Sequence, residues 1–287
     1  MPTATTFPDY SGNACPLLAP EDQERLWKAA CTLVDERGLL VRITDFIGQG
    51  AEWAGAKAAE YGAKILGEGW EDKIRGLAEE ALWRGHDLAT IGMDATGEGE
   101  SWSWFNKAVA SATGAVGGFF GLPGLALDIP VSTLLIMRSI AEIARANGED
   151  IASDEGKRAC LEVMAFGGPG DEDDAAEVGY WGARIGFVHL TIEAAVKRAA
   201  AQLGVALSEK ALAQIVPFAG ALAGTGLNYA FMDFYQQMAR VHFTIRALER
   251  KYGGEDTPVR SCFDGLVRQA RNRRRLLKPA PDKEQAA

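Results

Sequence analysis

The chain has 287 residues, 47% of them hydrophobic, with a mean hydropathy of -0.07 and a formal net charge of -9 at pH 7. That length and apolar content suffice for one large core or two small ones. The hydropathy is low for a polytopic membrane protein, and the negative charge argues against wholesale attraction to nucleic acid.

The first 20 residues, with prolines at 2, 8, 16 and 20 among small polar residues, read as a loose lead-in. They show no basic stretch followed by an apolar run, so no signal peptide is expected, and the cytoplasm is the default location. From Glu21 to Arg37, Leu26, Ala30, Leu33 and Val34 make an apolar stripe at helical spacing, with Gly38 where a C-cap belongs. Helical patterns continue over 41–66 and 69–91, interrupted at Gly67 and Gly69. The loop DATGEGES (94–101) leads into WSWFNKAVASATG, and a helix is expected from Ile129 to Ala146, ending at Asn147-Gly148. Ser153 is placed to cap the next helix, and FGGPGDEDD (166–174) is the clearest break in mid-chain. Helices then follow over about 173–203, 208–252 with a break near Pro217, and 258–277. Alternating strand patterns are missing throughout. The reading is all-α: a lead-in (1–20), a single helical domain (21–257) and a basic C-terminal helix and tail (258–287).

Two segments define that domain, 108–145 and 211–250. No charge lies between Lys107 and Asp128, or between Lys210 and Asp233. Each run is about 20 residues, long enough in principle to cross a hydrocarbon core. Both are diluted with Gly, Ala, Ser and Thr and contain proline, and neither is flanked by a cluster of cations. Two Gly/Ala-rich, hairpin-like helical segments packed together in a core fit this composition, because small residues permit close helix approach. Membrane insertion is the competing reading, and the same small residues leave room for a bound apolar chain.

Catalytic signatures are missing: there is no G-x-S-x-G, no G-x-x-x-x-G-K-[ST] and no H-E-x-x-H. No catalytic residue, metal site or cofactor is therefore expected. His189 and Glu193, four apart, sit on one helix face as half a metal site at most or as a surface pair. The acids of DEDD (171–174) lack the spacing of a calcium loop. The cysteines Cys15, Cys31, Cys160 and Cys262 are far apart with no C-x-x-C pair, so reduced thiols are expected.

Polar residues inside the apolar blocks say more. Asp128 and, at the matching place, Asn228 and Asp233 follow long uncharged runs; Arg138 and Glu142 are one turn apart; Arg240 lies seven beyond Asp233; Tyr180 and Arg184 come from a third helix. A charge near a core must be paired. These residues are either an Asp–Arg network fixing helix register or the polar floor of a ligand pocket, suited to clamping a head group. In the tail, VRQARNRRRLLK (267–278) carries Arg268, Arg271, Arg273, Arg274, Arg275 and Lys278 in a helix-prone stretch. Such a helix fits an anionic membrane surface, with pairing to the acidic body as the rival. Trp27, Trp53, Trp70, Trp83, Trp102 and Trp104 fit a core, with interfacial anchoring as the alternative.

The blocks GLPGLALDIPVSTLLIMRSIAEIARANGED (121–150), CLEVMAFGG (160–168), GYWGARIGF (179–187) and PFAGALAGTGLNYAFMDFYQQMARVHFTIRALERKYG (217–253) together resemble the bacterial EcsC family, over roughly residues 20–255. That family is named after a gene of an ABC-transporter operon and has no established activity. The resemblance implies a helical cytoplasmic or membrane-associated protein and supplies no mechanism. Taken together, the expected function is a non-catalytic cytoplasmic protein, attached peripherally to the inner face of the cell membrane, binding a lipid or other apolar ligand. Alternatives are a hydrolase acting on an amphipathic substrate, with Asp128 or Asp233 as acid or base, and a scaffold for a membrane partner such as an ABC-transporter subunit. The expected partner is an anionic membrane surface or lipid, not nucleic acid.

Overall fold

Ala, Leu, Glu and Arg at helical spacing yield helices and no strand among the described residues: an all-α protein. The computed structural model describes residues 15–35, 64, 67–93, 122–166, 180–181, 184–187, 189–215, 220–253 and 258–277. Its helices are α1 (Pro20–Asp35), α2 (Trp70–Ala89), α3 (Leu122–Ala146), α4 (Asp154–Met164), α5 (Ile192–Ile215), α6 (Gly220–Tyr252) and α7 (Pro258–Leu277). The expected loop 94–101, most of 41–66, the acids of 171–174, and Trp53, Trp102 and Trp104 lie outside the described residues. The chain divides into two compact units, one of Met1–Asp35 with Thr244–Ala287, the other Glu36–Phe243, so α6 contributes to both.

In the first unit α1 packs on α7. The expected stripe of α1 is buried, Leu26 and Ala30 completely, and Trp27 joins it. Facing it, α7 buries Val259, Phe263, Leu266, Val267 and Ala270. The two helices run parallel: Cys15, just ahead of α1, is bonded to Cys262 near the start of α7, and Arg274 near its end donates to the Val34 carbonyl in the last turn of α1. The expectation of four reduced thiols is thus corrected. Cys15 and Cys262 form a disulfide with a Cα–Cα distance of 5.6 Å, well within the usual range. A separation of 247 residues hides the pair from any local motif, and only the packing of α1 on α7 brings the two together. Cys31 and Cys160 are buried thiols outside the disulfide.

In the second unit α2 packs against both α3 and α5, and α4 touches α5 and α3. Gly67 and Gly69, with φ of 84° and 68°, break the chain ahead of α2 as their positions predict. Ser153 caps α4 through a 3.0 Å bond from the Gly156 N–H to its Oγ. Beyond α3, Gly148 takes φ 80° while its N–H bonds the Arg145 carbonyl, the expected stop at Asn147-Gly148.

Two expected boundaries move. α3 starts at Leu122 and carries Pro130 inside it, so the proline does not delimit the helix. α5 runs unbroken from Ile192 to Ile215 through Gly204, where a break was expected. Gly204 is there for contact: a Cβ on it would lie 3.3 Å from the Cβ of Arg75 in α2. Residues 216–219, which hold Pro217 and the second expected break, lie outside the described residues.

Candidate functional site

Asp128 and Asn228 were singled out because each follows a long uncharged run, and the fold joins them. Asn228 Nδ2 donates to Asp128 Oδ1 at 3.0 Å, and the Ser132 hydroxyl, one turn on, donates to the same oxygen at 3.0 Å. All three are buried. Further along, Gln236 Nε2 donates to Ser139 Oγ at 2.7 Å. Both contacts advance in the same direction, so α3 and α6 lie parallel, sewn by a buried polar seam. Thr133 on α3 and Tyr235 on α6 are also buried, and neither hydroxyl has a hydrogen-bond partner among the described residues. Burial pushes the Tyr235 hydroxyl far above the usual tyrosine range.

Arg138 and Glu142 pair as their spacing predicts, Nε to Oε1 at 3.4 Å. Arg138 also donates to the Ala89 carbonyl at 2.9 Å, so the guanidinium caps the C-terminal end of α2. Ten residues separate Asp128 from Arg138, about 15 Å along the helix. Arg240 feels Asp233, but burial dominates and pulls its guanidinium below the ordinary value. Arg184 is buried with its guanidinium 5.3 Å from the centre of the Trp181 ring, a cation–π contact.

Tyr180 leads to a cluster that sequence reasoning missed. Its hydroxyl lies 3.4 Å from His242 Nδ1, and Glu162 Oε2 lies 3.8 Å from Nε2 on the other side of the ring. Phe166, Tyr180 and Phe243 pack round the imidazole with ring centroids 5.0–6.2 Å away. His242 is 0% exposed. The cluster therefore ties α4, the helical residues 180–181 and α6 together. Part of its signal was available: Glu162 and His242 are polar residues between apolar neighbours, in LEVM and VHF.

His86 is the other buried imidazole. Burial, then the charge of Lys157, lowers its pKa, against a smaller opposing effect of Asp87. Asp87 lies 3.7 Å from its Nδ1, beyond hydrogen-bond range, and pairs with Lys157 at 3.0 Å, which links α2 to α4. The His189–Glu193 reading is corrected. His189 stands in a turn ahead of α5, Thr191 Oγ1 accepts from the Ala194 N–H, and Glu193 is held by Lys197 at 2.6 Å. The two are not on one helix face. Among the described residues no three His, Cys, Asp or Glu are grouped to hold a metal.

In α7, Arg268 and Arg273 are exposed, as is Arg260, while Arg271 and Arg274 are half-buried. The Arg275 side chain and Lys278 lie outside the described residues. Arg274 is occupied at the end of α1, where its charge pulls on Asp35; burial nonetheless raises the Asp35 carboxyl above its usual value. The outward side of α7 also bears Leu276, 85% exposed. Of the tryptophans, Trp27 and Trp70 are core, whereas Trp83 is exposed on α2.

No described helix is long and apolar enough to cross a membrane. No curated protein and no solved structure matches the chain. The model of the EcsC protein family matches residues 98–248, a narrower span than the 20–255 of the sequence resemblance and one that holds α3 to α5, most of α6, the polar seam and the His242 cluster. The chain belongs to the EcsC protein family.

Proposed function

We propose that this chain is a non-catalytic helical protein that attaches peripherally to an anionic membrane surface and holds a lipid or other apolar ligand. The observation that carries the reading is α7. Its buried apolar residues pack inside the first unit, while the side chains of Arg260, Arg268 and Arg273 are exposed and Leu276 is exposed near Arg273. Exposed cations near anionic headgroups contribute about 1 kcal/mol each. The ligand half of the reading draws on the buried polar seam and on the hydroxyls of Thr133 and Tyr235, unpartnered among the described residues and suited to bond a headgroup oxygen. Attachment is tested by co-sedimentation with phosphatidylglycerol and with phosphatidylcholine vesicles. Binding to the first, lost in high salt, supports the reading. Binding to neither removes the membrane half, and native mass spectrometry without a co-purified lipid removes the ligand half.

A further inference from the structure

The apolar face of α7 has an occupant within the chain. Val259, Phe263, Leu266, Val267 and Ala270 are buried, and α1 is the helix packed there. The rest of the helix is basic and polar. A basic helix with a clean apolar face is the kind that lies in the headgroup layer of an anionic bilayer, apolar side inward. While α1 covers that face, only the arginine side is available to a membrane.

Polar contacts and one covalent bond hold α1 in place besides the apolar packing; the N–H of Ala19, just ahead of α1, donates to the Tyr252 hydroxyl at 2.9 Å. Asp22, in its first turn, accepts from Lys251 Nζ at 2.6 Å and from the Tyr252 hydroxyl at 2.7 Å, both at the end of α6. Arg274 donates to the Val34 carbonyl. The covalent tie is Cys15–Cys262, which closes a loop of 247 residues in separation, and a cross-link contributes more the longer the loop it closes. Cys15 lies outside any helix, so breaking this bond frees a segment without first unwinding one. The remaining thiol of this unit does not compete for exchange: burial pushes Cys31 up to about 12, which keeps it protonated at neutral pH.

We infer that the Cys15–Cys262 disulfide is a redox clasp that keeps the apolar face of α7 on α1, and that its reduction releases that face to insert into an anionic bilayer. This rests on the membrane reading above and adds its regulation. The step is thiol–disulfide exchange with a dithiol reductant. The S–S bond breaks, two electrons and two protons pass to the cysteine sulfurs, and the reductant leaves as its own disulfide.

The test uses the full chain. Thiols are titrated in denaturant before and after dithiothreitol, and a rise from two to four accessible thiols per chain is expected. Oxidised protein, reduced protein, Cys15→Ser and Cys262→Ser are then sedimented with vesicles of phosphatidylglycerol and phosphatidylcholine in equal parts. Reduced protein and both variants should bind on the order of tenfold tighter than oxidised protein and resist added salt, because burial of apolar side chains is not screened. Reoxidation with oxidised glutathione should return the reduced protein to weak, salt-sensitive binding, with the far-ultraviolet helical signal kept throughout. Four thiols before reduction, a gain that reoxidation does not reverse, or a gain accompanied by lost helix each overturn the clasp. Equal binding by all forms overturns the clasp and leaves the membrane reading standing; binding by none overturns both.

Discussion

At the scale of single residues, the sharpest constraint is Gly156 in the first turn of α4. A Cβ there would stand 2.1 Å from the Asp150 carbonyl oxygen, which is backbone and cannot swing away. Helix propensity alone favours alanine over glycine by about 1 kcal/mol. We expect Gly156→Ala to go the other way and destabilise the protein by about 1–3 kcal/mol, read as a lower urea midpoint. His86 supplies a pH dependence. Its folded pKa is lowered, chiefly by burial, so the unfolded chain takes up a proton first as pH falls. The stability is present above the unfolded value of about 6.5 and is lost as pH drops below it. Asp22 acts in a separate window. Burial raises its carboxyl, but the hydrogen bonds from Lys251 and Tyr252 and the charges of Lys251 and Arg25 outweigh this and hold it below the usual value. Its contribution is present above about 3.9 and is lost in more acid solution. Urea midpoints measured from pH 7 to 3 should fall in two stages. His86→Leu should remove the first stage, and Asp22→Asn should shrink the second, which Asp87, held low by the hydrogen bond from Lys157, shares.

At the scale of elements, the α3–α6 seam decides how the two apolar segments are paired. Asn228→Leu leaves the buried Asp128 with one hydrogen bond fewer and should cost about 2–3 kcal/mol. Asp128→Leu with Asn228→Leu should cost less than the sum of the single changes, with a coupling of about 1–3 kcal/mol in a double-mutant cycle followed by circular dichroism. Additive effects would deny the pairing. The seam also shows what a sequence gives away. Asp128 and Asn228 stood out because a polar residue inside an uncharged run needs a partner, and that argument found both ends of a contact across 100 residues. Helix identity was legible for the same reason: apolar spacing is local. The stop at Gly148 and the cap at Ser153 are local too. The gap expected between 203 and 208 is helix: Gly204 there makes room for Arg75 of α2, and sequence alone does not place that neighbour. Glu162 and His242 stand out as polar residues among apolar neighbours, but their meeting with Tyr180, like the Cys15–Cys262 bond, was not legible because it depends on how distant helices meet.

At the scale of the whole molecule, charge is unevenly spread: the chain carries -9 overall, yet within 259–278 Asp264 is the lone acid among arginines and one lysine. The structure sorts those cations by use. Arg274 is occupied at the end of α1, so Arg274→Gln should lower the melting temperature with little effect on binding to vesicles. Arg260, Arg268 and Arg273 face solvent, and they are the ones a membrane would meet. The most direct measurement is therefore co-sedimentation of oxidised Arg260→Gln/Arg268→Gln/Arg273→Gln with phosphatidylglycerol vesicles at low and at physiological salt, beside the oxidised wild type. At about 1 kcal/mol per cation, the variant should bind on the order of 100-fold more weakly at low salt, with the gap narrowing as salt rises and no change in melting temperature. Binding equal to wild type, together with a lowered melting temperature, would contradict the account and make α7 a structural helix alone.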